Sequence, residues 1–432
     1  MCGIAGILSL TEQRPPTETV AEMVSALRHR GPDESGLYSD PAVCLGHARL
    51  AIIGLAGGTQ PIGNDSEDMW IVYNGEVFNY LELKRELEQK GYLFATSTDT
   101  EVVLHLYQEY GVDCLPRMNG QFALAIWDRR RQELFLARDR VGIRPLYFTW
   151  TRESFCFASE IKALFRNQQV ARNLSPKALQ QIFTFWTTLG EATPFEGVSA
   201  LRPGHYMLVG KGGAKVGRYW EQPYYEGQDL YKGSFEDALH ELDFLIRDAI
   251  RLRLRADVPV GGYLSGGLDS SLVSALANSM NASSLNTYSI SFMNALYDEA
   301  EFQNQMARTL KTRHSLLQID DRQVRQHLPE VIWHCESPLL RSAPVPLYLL
   351  SRAVNADRLK VVLTGEGADE VFGGYNIFKE AKIRAFWAKI PESELRPKLL
   401  QRLYPWRIGR SSWKFLGFAW LKIGESRLQP ML

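Results

Sequence analysis

The chain has 432 residues with 49 basic and 49 acidic side chains, so its formal charge is zero. A neutral balance removes the electrostatic case for nucleic acid or an anionic membrane as partner and points to small solutes. The length suggests two to three domains, no apolar run approaches a membrane span, and Met1 to Leu10 lacks the basic start of a secretion signal. Five cysteines, odd in number and without a CxxC pair, suit a reducing compartment, so the expected location is cytoplasmic.

The chain opens with Met1-Cys2-Gly3-Ile4 and an apolar, strand-like run to Leu10. Removal of Met1 would leave Cys2 with a free α-amine beside its thiol. An amine titrating near ~7.7 to 8.0 can then act as base toward a thiol near ~8.5. Arg28-His29-Arg30-Gly31-Pro32-Asp33 reads as a basic run ending in a turn. His47 to Ile53 reads as a strand carrying Arg49, and Trp70 to Tyr73 as another. Asn74-Gly75-Glu76 follows, and Asn-Gly is a strong signal for a type I′ hairpin turn. Two amphipathic helices are predicted over Tyr80 to Lys90 and Thr100 to Tyr110, ending at Gly91 and Gly111, with Thr98 and Asp99 as N-cap candidates of the second. Strands are predicted at Gln121 to Asp128, Glu133 to Arg138, Leu146 to Phe148 and 154 to 160.

Ser175-Pro176 caps a short helix to Trp186. Residues 210 to 233 carry glycine, tyrosine and lysine without period and read as a linker. A long helix from Phe235 to Arg255 ends in Arg251, Arg253 and Arg255, which read as a solvated last turn. The apolar strand at Val260 runs into Leu264-Ser265-Gly266-Gly267-Leu268-Asp269-Ser270-Ser271, and the spacing predicts that the next helix opens at Leu272. Such a turn offers backbone N–H groups, hydroxyls and a helix N-terminus to a phosphate, with Asp269 available for a cation. It has no Gly-Lys-Ser/Thr ending and so is not a Walker A loop. Thereafter strands at Leu285 to Phe292, Ser315 to Ile319 and Lys360 to Leu363 alternate with helices at Glu299 to Lys311, Gln323 to Cys335 and Val345 to Asn355, which implies a parallel, doubly wound sheet. Its last strand delivers Thr364-Gly365-Glu366-Gly367-Ala368-Asp369-Glu370 to the phosphate edge.

SGGLDSS (265–271) resembles the pyrophosphate loop of ATP pyrophosphatases. Cys2-Gly-Ile, RHRGPD, HARL, YNGE, TDTE and the segment Arg138 to Leu146 resemble class II glutamine amidotransferases in order and spacing. Over roughly its first 375 residues the chain thus resembles the glutamine-hydrolysing asparagine synthetases. The resemblance implies an α+β N-terminal-nucleophile sandwich (αββα) over residues 1–209, a linker at 210–233, and an α/β doubly wound nucleotide-binding domain over 234–432. It implies a carbon–nitrogen ligase using glutamine, aspartate and ATP, with Mg²⁺, through β-aspartyl-AMP.

By that resemblance Cys2 attacks glutamine, Asn74 and the Gly75 N–H form the oxyanion hole, and Arg49 clamps the α-carboxylate with Leu50, Ala51, Ile52 and Ile53 beside it. Glu76 and Asp99 receive the α-ammonium. Ser265, Gly266, Gly267, Asp269, Ser270 and Ser271 take the pyrophosphate, and Leu264, Ile290, Thr364 and Gly365 contact adenosine. Asp269 and Asp369 hold the metal, and Glu366 assists attack of ammonia. A dry passage for ammonia between the two sites is expected, and dimerisation accords with the family.

Beyond Tyr375 the match weakens. The family's LVKVDRxSMAxxLExRxPFLD-type segment and a later phosphate-contacting lysine do not appear, and the tail from Lys379 is basic and aromatic, with Trp387, Trp406, Trp413 and Trp420 on what read as amphipathic helices. Three readings stay open: the complete reaction; adenylation of another carboxylate, as in β-lactam synthetases and lasso-peptide cyclases, against which Cys2 argues; and a truncated or split, ligase-dead glutaminase or binding protein.

Overall fold

The computed structural model describes residues 1–224, 230–281, 284–293 and 298–404. Its backbone divides into two compact units, one of Met1–Gly267 with Ser271–Leu363 and one of Leu268–Ser270 with Thr364 onward. In the first unit, β1 (Gly3–Ser9), β2 (Glu34–Ser39), β3 (Val43–Arg49), β4 (Ile62–Gly63), β5 (Met69–Val77), β6 (Gly120–Asp128), β7 (Glu133–Arg138), β8 (Tyr147–Trp150), β9 (Ser154–Ala158), β10 (Val198–Ala200), β11 (His205–Gly210) and β12 (Gly213–Arg218) build two antiparallel sheets. Their orders are β10-β8-β9-β1-β3-β2 and β12-β11-β7-β6-β5-β4.

Alternation along each strand assigns the layers. Ile4, Leu8, Val43 and Leu45 of one sheet pack on Val72, Ala123, Ala125 and Trp127 of the other. The opposite side chains of the first sheet, Ala5, Ile7, Cys44 and Ala48, meet Val20, Met23 and Leu27 near the helix Thr17–Ala26. Those of the second, Ile71, Tyr73, Leu124 and Ile126, meet Leu83 and Leu87 of Tyr80–Gln89 and Val102, Val103 and Leu106 of Asp99–Tyr110. Helix, sheet, sheet, helix is the expected αββα sandwich. Strands that face apolar groups on both sides are buried throughout, as in β1.

The second half of the chain contributes β13 (Val260–Tyr263), β14 (Asn286–Phe292), β15 (Arg313–Ile319) and β16 (Val361–Leu363), all parallel in the order β15-β14-β13-β16. The order reverses between β13 and β16, the switch point at which doubly wound sheets take ligands beyond the strands' carboxyl ends.

Several expectations change. Asn74-Gly75 is no turn: β5 runs unbroken through it, with Asn74 opposite Ala123 and Gly75 opposite Phe122. A Cβ at Gly75 would lie 2.4 Å from the Gln121 carbonyl oxygen, so glycine here permits strand contact. The strand predicted to Ile53 ends at Arg49. Part of the stretch read as linker forms β12, an antiparallel partner of β11. The helix after the serine-glycine turn starts at Leu268 rather than Leu272, which brings Asp269, Ser270 and Ser271 into its first turn. The arginines closing the helix Phe235–Arg253 are not simply solvated: Arg253 lies 4.6 Å from the Phe78 ring centroid, and Arg255 binds Glu82 and, at 2.8 Å, the Phe78 carbonyl. Of the tail tryptophans, Trp387 lies in the helix Asn376–Ala388, while Trp406, Trp413 and Trp420 fall outside the described residues. Among the described residues no helix is long and apolar enough to cross a membrane.

Candidate active site

Four elements bring polar groups to one cavity of the first unit. Cys2 precedes β1, Arg49 ends β3, Asn74, Gly75 and Glu76 sit in β5, and Asp99 opens a helix that Thr98 caps by accepting the Glu101 N–H. Arg144 reaches the cavity because the segment before it wraps around Asp139, whose two carboxylate oxygens accept N–H groups of Phe122, Val141, Ile143 and Arg144 at 2.9 to 3.2 Å. Cys2, Arg49, Leu50, Ile52, Ile53, Asn74, Gly75, Glu76 and Asp99 all line this cavity. Ala51 does not: its N–H goes to Asp33 at 2.8 Å and its carbonyl to Lys360 at 3.1 Å.

The Cys2 thiol contacts the Leu50 backbone, accepting from its N–H at 3.3 Å and facing its carbonyl at 3.6 Å. The Cys2 carbonyl accepts from Arg30 Nε at 2.9 Å, and Arg30 is held in turn by Glu160 at 2.7 Å. Glu160 precedes the short helix Ile161–Leu164, whose first N–H groups donate to Glu336 at 2.7 and 2.6 Å. Arg49 is buried and donates to Glu34 at 2.9 Å through Nη1 and to the Gly54 and Ile53 carbonyls at 2.5 and 3.3 Å through Nη2.

Buried polar groups are normally paired, and an unpaired one costs roughly 1–3 kcal/mol. Here Asn74 Nδ2 and Oδ1, Glu76 Oε1 and Arg144 Nε, all in residues lining the same cavity, have no partner. A polar ligand would satisfy them. The electrostatics agree. Burial, reinforced by the charge on Asp99, pushes the Glu76 carboxyl up to about 7. Burial likewise lifts Asp99 to about 6, against hydrogen bonds from Val77 N–H and Tyr73 Oη at 3.0 Å each. Burial also raises the Cys2 thiol and lowers the Met1 amine to about 5. The cavity therefore holds a thiol, two guanidiniums, a carboxamide with no partner among the described residues, and two carboxylates raised by burial.

In the sheet of the second half, Leu264 is buried and its N–H extends the ladder to the Tyr288 carbonyl at 2.9 Å. Gln303, which sequence reading did not single out, donates through Nε2 to Ser265 and Ile290 carbonyls at 3.3 and 3.0 Å. It fixes the start of the turn against β14. Gly267 occupies the N-cap of Leu268–Met280, and no side chain caps that helix. In the second unit, a Cβ at Gly365 would lie 2.9 Å from the Ser270 nitrogen and 3.0 Å from Asp269 Cβ, so the Thr364-Gly365 backbone passes directly over the helix start. Asp369 lies in the short helix Ala368–Phe372, and Glu366 is exposed. Among the described residues no three His, Cys, Asp or Glu side chains gather as a metal cluster.

A family model described as a glutamine amidotransferase domain matches residues 1–220, and one described as asparagine synthase matches residues 241–425. Asparagine synthetase [glutamine-hydrolyzing] 1 of Bacillus subtilis is 34% identical over 413 residues, 93% of this chain and 63% of that protein. Asparagine synthetase [glutamine-hydrolyzing] 3 of the same organism is 34% identical, over 93% of this chain and 67% of its own length. A putative asparagine synthetase of Methanocaldococcus jannaschii is 32% identical, over 91% and 79%. The chain spans 63% of the length of the first of these and 67% of the second. With a matched amidotransferase half, a matched synthase half and relatives of this identity, the chain belongs to the family of glutamine-hydrolysing asparagine synthetases.

Proposed function

We propose that this chain hydrolyses glutamine at Cys2 and, with ATP and aspartate in its second half, makes asparagine through β-aspartyl-AMP, releasing AMP and pyrophosphate. The observation that carries the first step is the group of unpartnered buried atoms on Asn74, Glu76 and Arg144 around the Cys2 thiol. Once Met1 is removed, the Cys2 amine takes the thiol proton and Sγ attacks the carboxamide carbon. Asn74 Nδ2 and the Gly75 N–H stabilise the oxyanion. The C–N bond breaks, ammonia leaves with the proton, and water then cleaves the thioester to glutamate. Arg49 holds the α-carboxylate, Glu76 and Asp99 hold the α-ammonium, and Leu50, Ile52 and Ile53 form the wall.

In the second half the aspartate side-chain oxygen attacks the α-phosphorus of ATP and pyrophosphate leaves, held by Ser265, Gly266, Gly267, Ser270 and Ser271. Leu264, Ile290, Thr364 and Gly365 contact adenosine. Ammonia then displaces AMP, its surplus proton passing to Glu366. Magnesium fits the donor set, since Asp269 and Asp369 would offer it the hard carboxylate oxygens it takes. Bound there, it would neutralise charge on the departing pyrophosphate. The glutaminase part extends beyond the expected boundary at 209 to include β12, a short join follows, and the synthetase part runs from 234. Incubation with Mg²⁺, ATP, aspartate and glutamine is expected to yield glutamate, AMP, pyrophosphate and asparagine. Glutamate without AMP would restrict the function to the first step.

The raised carboxylates give a pH dependence with a definite sign. Glu76 at about 7 must be ionised to receive an ammonium, so the KM for glutamine should fall as pH rises from 6 to 8. Below its pKa the change approaches about tenfold per pH unit. In the unliganded protein a carboxyl raised above its unfolded value stabilises the fold at low pH, and that contribution disappears as pH rises through about 7. Glutamine should therefore raise the unfolding temperature more at pH 8 than at pH 6. A KM flat across this range would remove Glu76 from the site.

A further inference from the structure

The glutamine-facing loop of the first half is pinned from the second half. Lys360, the residue before β16, places Nζ 2.6 Å from Asp33 Oδ2 and 3.1 Å from the Ala51 carbonyl. The same Asp33 oxygen accepts the Ala51 N–H at 2.8 Å, and the Asp33 N–H donates to the Arg49 carbonyl at 3.0 Å. On the other side, Asp257, three residues before β13, accepts the Gly54 N–H at 2.7 Å and donates its own N–H to the Ile52 carbonyl at 3.0 Å. Between these pins lie Leu50, Ile52 and Ile53, which line the Cys2 cavity, and Leu50 is the residue whose backbone holds the thiol. The two pins stand at the feet of β13 and β16, adjacent parallel strands that pair Val260 with Val361.

We propose that Asp257 and Lys360 are positioning residues for glutamine hydrolysis: they fix the loop 51–54, so the glutamine site of the first half is completed by the sheet of the second. This rests on the reading of the Cys2 cavity as the glutamine site. The pins touch neither the thiol nor the cavity. They set where the Leu50 backbone meets Sγ and where Arg49, whose guanidinium is tied to the Gly54 carbonyl, stands. Losing one charge-assisted hydrogen bond to a loop costs about a factor of ten in an equilibrium that depends on it.

The test is glutamate release against glutamine concentration, on the whole chain and on Lys360→Met, Asp257→Ala and Lys360→Arg. Lys360→Met and Asp257→Ala should each raise the glutamine KM about tenfold with kcat changed less than about threefold, the split expected when a binding loop is loosened. Lys360→Arg keeps a cation beside Asp33 and should restore most of the KM. Unchanged KM in both deletions overturns the proposal. So does an equal fall in kcat with a lowered unfolding temperature that arginine does not rescue, because that is the behaviour of a merely structural contact. If the intact chain releases no glutamate, the glutamine reading itself falls and takes the pins with it. Intact activity with indifferent variants would sink the pins alone.

Discussion

Cys2→Ala is expected to abolish glutamate release, by roughly ten-thousandfold or more, the scale on which enzymes lose covalent catalysis with their nucleophile. The thiol makes contact only with the Leu50 backbone in the bonds described, so its removal should leave the unfolding temperature nearly unchanged. Asparagine formation supported by glutamine should vanish with the glutaminase, while formation supported by ammonium should persist, because no residue proposed for adenylation lies in the Cys2 cavity. Measuring both nitrogen sources on the same preparation separates these effects. Glutamate release surviving the substitution would remove Cys2 from the chemistry, and loss of both routes together would show that the substitution damages more than a nucleophile.

Asp369→Asn should give the mirror image. The side chain keeps its size but loses the charge proposed to hold Mg²⁺ at the pyrophosphate, so aspartate-dependent AMP formation should fall about 10² to 10³-fold, comparable with losing one preorganised electrostatic group. Glutamate release in the absence of ATP should be unaffected. AMP formation at the level of the intact chain would exclude Asp369 from the metal site. Paired with Cys2→Ala, the two variants assign each half-reaction to its own residues.

The strands were legible from their residue types, but the layer order came from the family resemblance: in β5, Ile71 and Tyr73 face the helices while Val72 faces the other sheet, an assignment that needs the fold. The αβ alternation after Val260 was legible from the succession of short apolar and longer amphipathic segments. Asn74-Gly75 misled because the local preference of that dipeptide for a turn is weaker than a full antiparallel partner in β6, from Met69 opposite Asp128 to Val77 opposite Gly120. Arg253 and Arg255 read as solvated because their partners, Phe78 and Glu82, lie more than a hundred residues upstream and leave no period in the sequence. The same holds for Asp257 and Lys360. Cys2, Arg49, Glu76 and Asp99, singled out through the family resemblance, come together in one cavity. Arg144 was quoted within its segment without a role, since only the fold around Asp139 reveals that it enters the cavity.

The positions of the pins give the chain a schedule. A ribosome delivers Cys2 first and Lys360 some three hundred and fifty residues later, and domains fold largely in the order they emerge. The sandwich can close around its own apolar layers while the loop 51–54 still waits for Asp257 and then for Lys360. On the proposed reading, a nascent chain has its nucleophile long before its glutamine site is tight, and the site tightens only when the second sheet has formed. Under that proposal, turnover at low glutamine concentration trails the folding of the second sheet.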